Sequence, residues 1–205
     1  MHSMQHSEAI VKLLLESGAA VNAEGGEYGN ALQAASYRGS DVFVKLLLEN
    51  GAVVNAEGGR FGNALQAASY DGHEGIVELL LDNGAAVNAE GGEYGNALQA
   101  ASYRGSEAIV KLLLDNGAAV NAEGGKYGNA LQAASYRGND GIVKLLLENG
   151  AEVNAEGGEY RNALQAASYQ GNDAIVKLLL ENGAEVNKEG GGYGNSDVLA
   201  LASSA

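Results

Sequence analysis

The chain has 205 residues, a formal net charge of −14, 31 glycines, and neither proline nor cysteine. Disulfides, cysteine-based zinc sites and a cysteine nucleophile are therefore excluded. The acidic balance opposes unassisted binding to nucleic acid or to an anionic membrane.

The chain opens MHSMQHSEAIVKLLLES. Charges interrupt its apolar part, so it lacks the order of a secretory leader. No stretch reaches the roughly 18 apolar residues of a membrane-crossing helix. An intracellular, cytoplasmic protein is expected. Aligned on the downstream sequence, Ser7 matches Ser106, so Met1–His6 reads as the tail of a first helix. Glu8–Glu16 reads as a second helix without its partner.

From Gly25 onward the sequence nearly copies itself every 33 residues. Such a period marks a stacked-repeat architecture. The expected organisation is one elongated domain over 1–205. It holds an N-terminal half repeat at 1–24, then full units at 25–57, 58–90, 91–123, 124–156 and 157–189. A partial repeat at 190–205 ends it. First helices are expected after Asn30, Asn63, Asn96, Asn129 and Asn162. After Asn195 the pattern fits only with a two-residue slip.

The central unit shows the local logic. Asn96 suits a helix N-cap, because its side-chain oxygen can accept an orphan N–H of the first turn. Gln99 stands where it could reach back to that cap. Ala97, Leu98, Ala100 and Ala101 give a first helix small enough for close approach. Gly105 ends it. Ser106 is placed to cap a second helix, with Glu107 where the macrodipole favours an anion. Ile109, Val110, Leu112, Leu113 and Leu114 form an apolar face wide enough to pack on two sides. Asn116-Gly117 closes that helix, and AAVNAEGGK has the glycine pair and polar residues of a projecting turn or hairpin. Each helix is shorter than the ~12–15 residues at which isolated helices become marginal. Backbone ordering costs about 1–2 kcal/mol per residue. Each buried aliphatic side chain returns about 1.5–3 kcal/mol. One unit cannot fold alone, so stability must be shared between neighbours.

These residues resemble the ankyrin repeat. Asn96-Ala97-Leu98-Gln99-Ala100-Ala101-Ser102 stands at the Thr-Pro-Leu-His-x-Ala-Ala motif, and Gly105-Ser106 stands at Gly-His. Ile109-Val110, Leu112-Leu113 and Gly117-Ala118-Ala119-Val120-Asn121-Ala122 take the rest. Asn, Ala and Gln replace the family's Thr, Pro and His in every full unit. The resemblance implies an all-α solenoid of stacked helix-turn-helix units with β-turn or hairpin fingers. It also implies non-catalytic binding of a protein or peptide on the concave face. The Gly-Asn-Ala-Leu-Gln-Ala-Ala-Ser-Tyr variant is similar to ankyrin arrays of fungal NOD-like receptor proteins, which implies the recognition array of a larger signalling receptor.

No catalytic, cofactor or metal constellation is legible. His2, His6 and His73 are the only histidines, and His73 suits a cap or local hydrogen bond. Glu24, Glu57, Glu90, Glu123, Glu156 and Glu189 fall once per unit. At a helix–helix spacing of roughly 10 Å they form a solvated ladder, not a metal site. The Gly-rich stretch Gly124–Asn129 lacks the Gly-Lys-Ser/Thr ending of a phosphate cradle.

Two aromatic columns hold every tyrosine. Tyr28, Phe61, Tyr94, Tyr127, Tyr160 and Tyr193 suit a structural ladder. Tyr37, Tyr70, Tyr103, Tyr136 and Tyr169 fall where the resembling family faces its groove, so packing and partner contact both fit. Two further columns vary between otherwise copied units. One runs Glu27, Arg60, Glu93, Lys126, Glu159, Gly192 at the fingertips. The other runs Arg38, Asp71, Arg104, Arg137, Gln170 after the tyrosines. By resemblance the candidate partner-binding residues are Tyr37, Arg38, Arg60, Tyr70, Asp71, Glu93, Tyr103, Arg104, Lys126, Tyr136, Arg137, Glu159, Tyr169 and Gln170. The rival reading is a structural array with no dedicated external target, associating weakly head-to-tail through uncapped ends.

Overall fold

Asn96 adopts extended backbone, and its side chain accepts from the Gln99 amide N–H at 2.9 Å. The same cap recurs at Asn30, Asn63, Asn129 and Asn162, each at 2.9 Å. It starts every first helix of the array. The computed structural model describes residues 2–186, with side chains from residue 8. Eleven helices lie among them, with no strand. After α1 (His2–Glu16) come five pairs: α2 (Ala31–Tyr37) with α3 (Asp41–Glu49), α4 (Ala64–Asp71) with α5 (Glu74–Asp82), α6 (Ala97–Arg104) with α7 (Glu107–Asp115), α8 (Ala130–Arg137) with α9 (Asp140–Glu148), and α10 (Ala163–Tyr169) with α11 (Asp173–Glu181). The segment after Asn195, Glu189, Gly192 and Tyr193 lie outside the described residues, as do the side chains of His2 and His6.

Three local expectations change. The N-terminus is one continuous helix, not a first-helix tail followed by a second helix. His6 stands where the other units place a glycine such as Gly105, whose φ is +92°. Without that left-handed break the helix runs on. Second, the Gln99 side chain does not turn back to its cap. Its Nε2 donates forward to Ala122 O at 2.9 Å and Gly128 O at 3.5 Å in the next finger. Gly128 O already accepts from Gly124 N, so Gln99 chiefly serves Ala122 O, and the small first helix leaves room to reach it. Third, Ser106 and His73 make no side-chain cap. The His73 ring instead meets Tyr37 O at 3.0 Å, one unit back. Asn139 and Asn172 do the same to Ser102 O and Ser135 O.

The apolar face predicted for the second helices is buried. Ile109, Val110 and Leu113 are sealed, and Leu112 and Leu114 pack around them. The core runs unbroken from unit to unit. Small Ala97, Ala100 and Ala101 let first helices pack on one another far more closely than second helices do. The stack is therefore tighter on the finger and first-helix side, which becomes its concave face.

The fingers are compact loops, not extended hairpins. Each is closed by one backbone bond, as from Gly124 N to Gly128 O at 2.8 Å. Successive tips are also bonded directly. The N–H groups of Arg60, Glu93, Lys126 and Glu159 each donate to the tip carbonyl one unit earlier at 2.9 Å. Fingers thus meet more tightly than the roughly 10 Å helix spacing. The second glycine of each pair allows this. A Cβ on Gly125 would collide with the backbone of Tyr94.

A second polar clip ties the units. Asn88 Nδ2 donates to Gly117 O at 3.0 Å, and its Oδ1 accepts from Ala119 N at 2.8 Å. Asn22, Asn55, Asn121 and Asn154 repeat both bonds.

One finger departs from the pattern. Arg161 has φ +67°, where Gly29, Gly62, Gly95 and Gly128 also hold positive φ. A non-glycine residue held in the left-handed region stores about 1–3 kcal/mol when its surroundings force it there. Its Nη2 contact to Glu156 at 3.2 Å is half-exposed and offsets at most about 1 kcal/mol. Arg161→Gly should therefore raise the urea midpoint of unfolding. An unchanged or lowered midpoint would show that the loop carries no strain there.

Candidate functional site

The concave side is organised by aromatic rings. Each first-column ring precedes its helix and each second-column ring ends it, so stacking interleaves the two. Tyr28, Tyr37, Phe61, Tyr70, Tyr94, Tyr103, Tyr127, Tyr136, Tyr160 and Tyr169 follow one another at centroid distances of 4.6–5.2 Å. Tilted and offset pairs of this kind contribute about 0.5–1.5 kcal/mol each beyond area. The two columns expected separately are a single zipper.

Phe61, Tyr94, Tyr127 and Tyr160 are buried, while Tyr37, Tyr70, Tyr103 and Tyr136 are half-buried and Tyr169 is exposed. Burial pushes the Tyr94, Tyr127 and Tyr160 phenols well above their ordinary range. Hydrogen bonds to Tyr70, Tyr103 and Tyr136, each one unit earlier, add to it. Packing thus holds the second column in place, and only the outward ring edges remain for a partner. Tyr103 is accordingly a structural residue first, and its loss would disturb the stack.

The fingertip column alternates in sign, and its members pair with each other. Arg60 Nε donates to Glu93 Oε2 at 2.7 Å, with Glu27 at 4.0 Å on the other side. Lys126 lies 3.6 Å from Glu159. Arg60 also stands over the Phe61 ring and Lys126 over Tyr127. These half-exposed pairs are worth about 0–1 kcal/mol each. Their variation between units is matched along the ladder, not random.

The column after the tyrosines behaves differently. The Asp71 carboxylate lies 2.8 Å from His73 Nε2, the same nitrogen that meets Tyr37 O. Arg38 and Arg137 lie over aromatic rings, Tyr28 at 6.0 Å and Tyr103 at 4.8 Å. Arg38, Arg104, Arg137 and Gln170 are exposed. On the opposite side of the stack Lys111 pairs with Glu107 at 2.6 Å, as Lys12 does with Glu8. Asp41, Asp140 and Asp173 replace the glutamate in other units, and Glu78 replaces the lysine in one.

The Glu24, Glu57, Glu90, Glu123 and Glu156 side chains are exposed. Among the described residues no three His, Asp or Glu side chains gather around a metal-sized space. Nor is any described helix long and apolar enough to cross a membrane.

Comparison with known families decides the assignment. A family model described as ankyrin repeats, in three copies, matches residues 1–91, 66–157 and 98–190. The chain belongs to the ankyrin-repeat family. Ankyrin repeats are in general protein-interaction modules and typically non-catalytic. No curated protein matches this ankyrin array.

Two features of the ankyrin array escaped sequence reading. The Asn22–Asn154 clip had a signal, since an otherwise solvated Asn recurs in every Val-Asn-Ala stretch. The pairing of fingertip charges had one too, in the strict alternation of sign from Glu27 to Glu159.

Proposed function

We propose that this ankyrin array is a non-catalytic module that binds a protein or peptide on its concave face, formed by fingers and first helices. The observation that carries this reading is where the units differ. Arg38, Asp71, Arg104, Arg137 and Gln170 vary and lie exposed or half-exposed beside the zipper. These positions stand beside a row of tyrosines, whereas the second helices carry only scattered charges, with Lys45, Lys111, Lys144 and Lys177 at one position and Glu78 in their place in one unit. Tyrosine and arginine are the residue types that dominate binding hot spots. Unit boundaries at 25, 58, 91, 124 and 157 place the glycine pair first in each unit. Resemblance supports a place within the cell as the recognition array of a larger signalling receptor. The net charge of −14 supports neither nucleic acid nor membrane as a target.

A random peptide library displayed on phage and panned on the array tests this. Enriched peptides should bind Arg104→Glu more than tenfold less tightly, with its melting temperature nearly unchanged. Lys111→Glu, on the outer side, should bind as the unaltered chain does. Loss on Lys111→Glu but not on Arg104→Glu would place the site on the wrong face.

A second reading is head-to-tail self-association. It is favoured by a groove of about 470 Å³ beside α1, lined by Val11, Ala31, Ala34, Ala35 and Phe43. Ile10, Leu13 and Leu14 are exposed beside it, and such apolar patches commonly mark association sites. Light scattering should then show growth with concentration and salt, abolished by Leu14→Glu. A monomer at high salt and high concentration removes this reading.

A further inference from the structure

Carboxylates outnumber cations by 26 to 12 in this chain. Lys45, Lys144 and Lys177 on the second helices also lack a carboxylate partner among the described residues. What is informative is therefore a row of such cations at one position beside the zipper. All five arginines lie in fingers or at the ends of first helices: Arg38, Arg60, Arg104, Arg137 and Arg161. Arg60 and Arg161 pair with carboxylates. Arg38, Arg104 and Arg137 do not reach any carboxylate within 4.0 Å among the described residues. All three occupy the same position in their units, one residue after a zipper tyrosine. Asp71 interrupts the series and Gln170 ends it.

The pitch of the zipper gives this row a ruler. Rings of the second column repeat every 6.1–6.5 Å from unit to unit. An extended strand rises about 3.2–3.4 Å per residue, with alternate side chains on one face. Two residues of extended chain therefore span one unit. A segment lying along the row presents every second side chain to successive units.

We propose that the concave face takes an extended acidic segment whose carboxylates meet Arg38, Arg104 and Arg137. This rests on the concave-face reading above and names its partner class. With the residue opposite Arg38 as i, acids fall at i, i+4 and i+6. Position i+2 faces Asp71 and is neutral or basic. Arginine suits the role, since its planar fork takes a carboxylate through two parallel hydrogen bonds. Arg137, standing over the Tyr103 ring, is already oriented by it. The wider field of the chain repels acids, but at physiological salt it decays over about 8 Å, a length comparable to the unit pitch. Recognition is thus local and depends on register.

Three labelled peptides of one composition test this by fluorescence anisotropy. Glu-Ser-Lys-Ser-Glu-Ser-Glu and its reversed order cover the two chain directions, and Glu-Glu-Glu-Ser-Lys-Ser-Ser breaks the spacing. One of the two spaced peptides should bind at least tenfold tighter than the clustered one. Arg104→Gln and Arg137→Gln should each remove most of that advantage, and Lys144→Gln on the outer side should leave it. Equal binding of all three peptides, or none up to millimolar concentration, would overturn the acidic-segment assignment. Library-selected peptides that depend on Arg104 but lack acids at this spacing would overturn it too, while leaving the binding face intact.

Discussion

Leu113→Ala should cost about 2–5 kcal/mol of stability, the range for truncating a buried leucine with partial collapse of the cavity. Leu113 is fully sealed in the second helix of the central unit, between Leu80 and Leu146 at the same position in its neighbours. Removing it weakens two interfaces at once, because each unit is stabilised by both neighbours. Leu14 holds the equivalent place in α1, yet it is 54% exposed, and Leu13 beside it is 62% exposed. Leu13→Ala or Leu14→Ala should cost well under half as much. Urea melts of the three variants decide it. Equal losses would contradict nearest-neighbour stabilisation. The Leu113→Ala melt should also broaden, as the array begins to unfold in two pieces.

How much of this could be read from residues depends on the range of the interaction. The helix pairs, the Asn caps and the Ile109-Val110-Leu113 face were legible, because they follow from spacing within about ten residues and from the repeat. The candidate face was legible only through the family resemblance. What could not be read depends on the pitch between units. Tyr94 and Tyr103 stand nine positions apart, so they appear as separate columns until stacking places Tyr103 beside Tyr127 at 4.8 Å. Arg60 and Glu93 are 33 positions apart, and only the alternation of sign from unit to unit, not anything within one unit, points to their meeting at 2.7 Å. Spacing alone points Gln99 to its own cap, because that partner lies nearby in sequence. The better partner, Ala122 O, exists only once the next finger is stacked.

The same zipper predicts how the fold fails at high pH. The Tyr94, Tyr127 and Tyr160 phenols hold their protons well past the ordinary range, first because burial penalises the phenolate and then through hydrogen bonds to Tyr70, Tyr103 and Tyr136. In the unfolded chain the same groups ionise near pH 10. Above that pH the unfolded state binds fewer protons than the folded one, so stability must fall as pH rises. The stabilisation is complete below pH ~10 and is lost as pH climbs toward the folded-state values. Each phenol contributes a slope of up to about 1.4 kcal/mol per pH unit, so three together approach about 4 kcal/mol per unit. Urea melts from pH 9 to pH 12, reported against absorbance of the phenolate, measure that slope. Replacing all three by Phe should lower stability at neutral pH through the lost hydrogen bonds, by about 0.5–1.5 kcal/mol each. It should also flatten the alkaline slope. Phe61→Tyr works in the opposite direction. Phe61 fills the same buried site against Tyr37 at 5.0 Å, so a hydroxyl there can bond as its counterparts do. It should add stability at neutral pH and one more titrating group above pH 10, steepening the loss. An alkaline slope indifferent to both changes would mean that the phenols ionise equally in the folded and unfolded chains, and that the zipper does not exclude water.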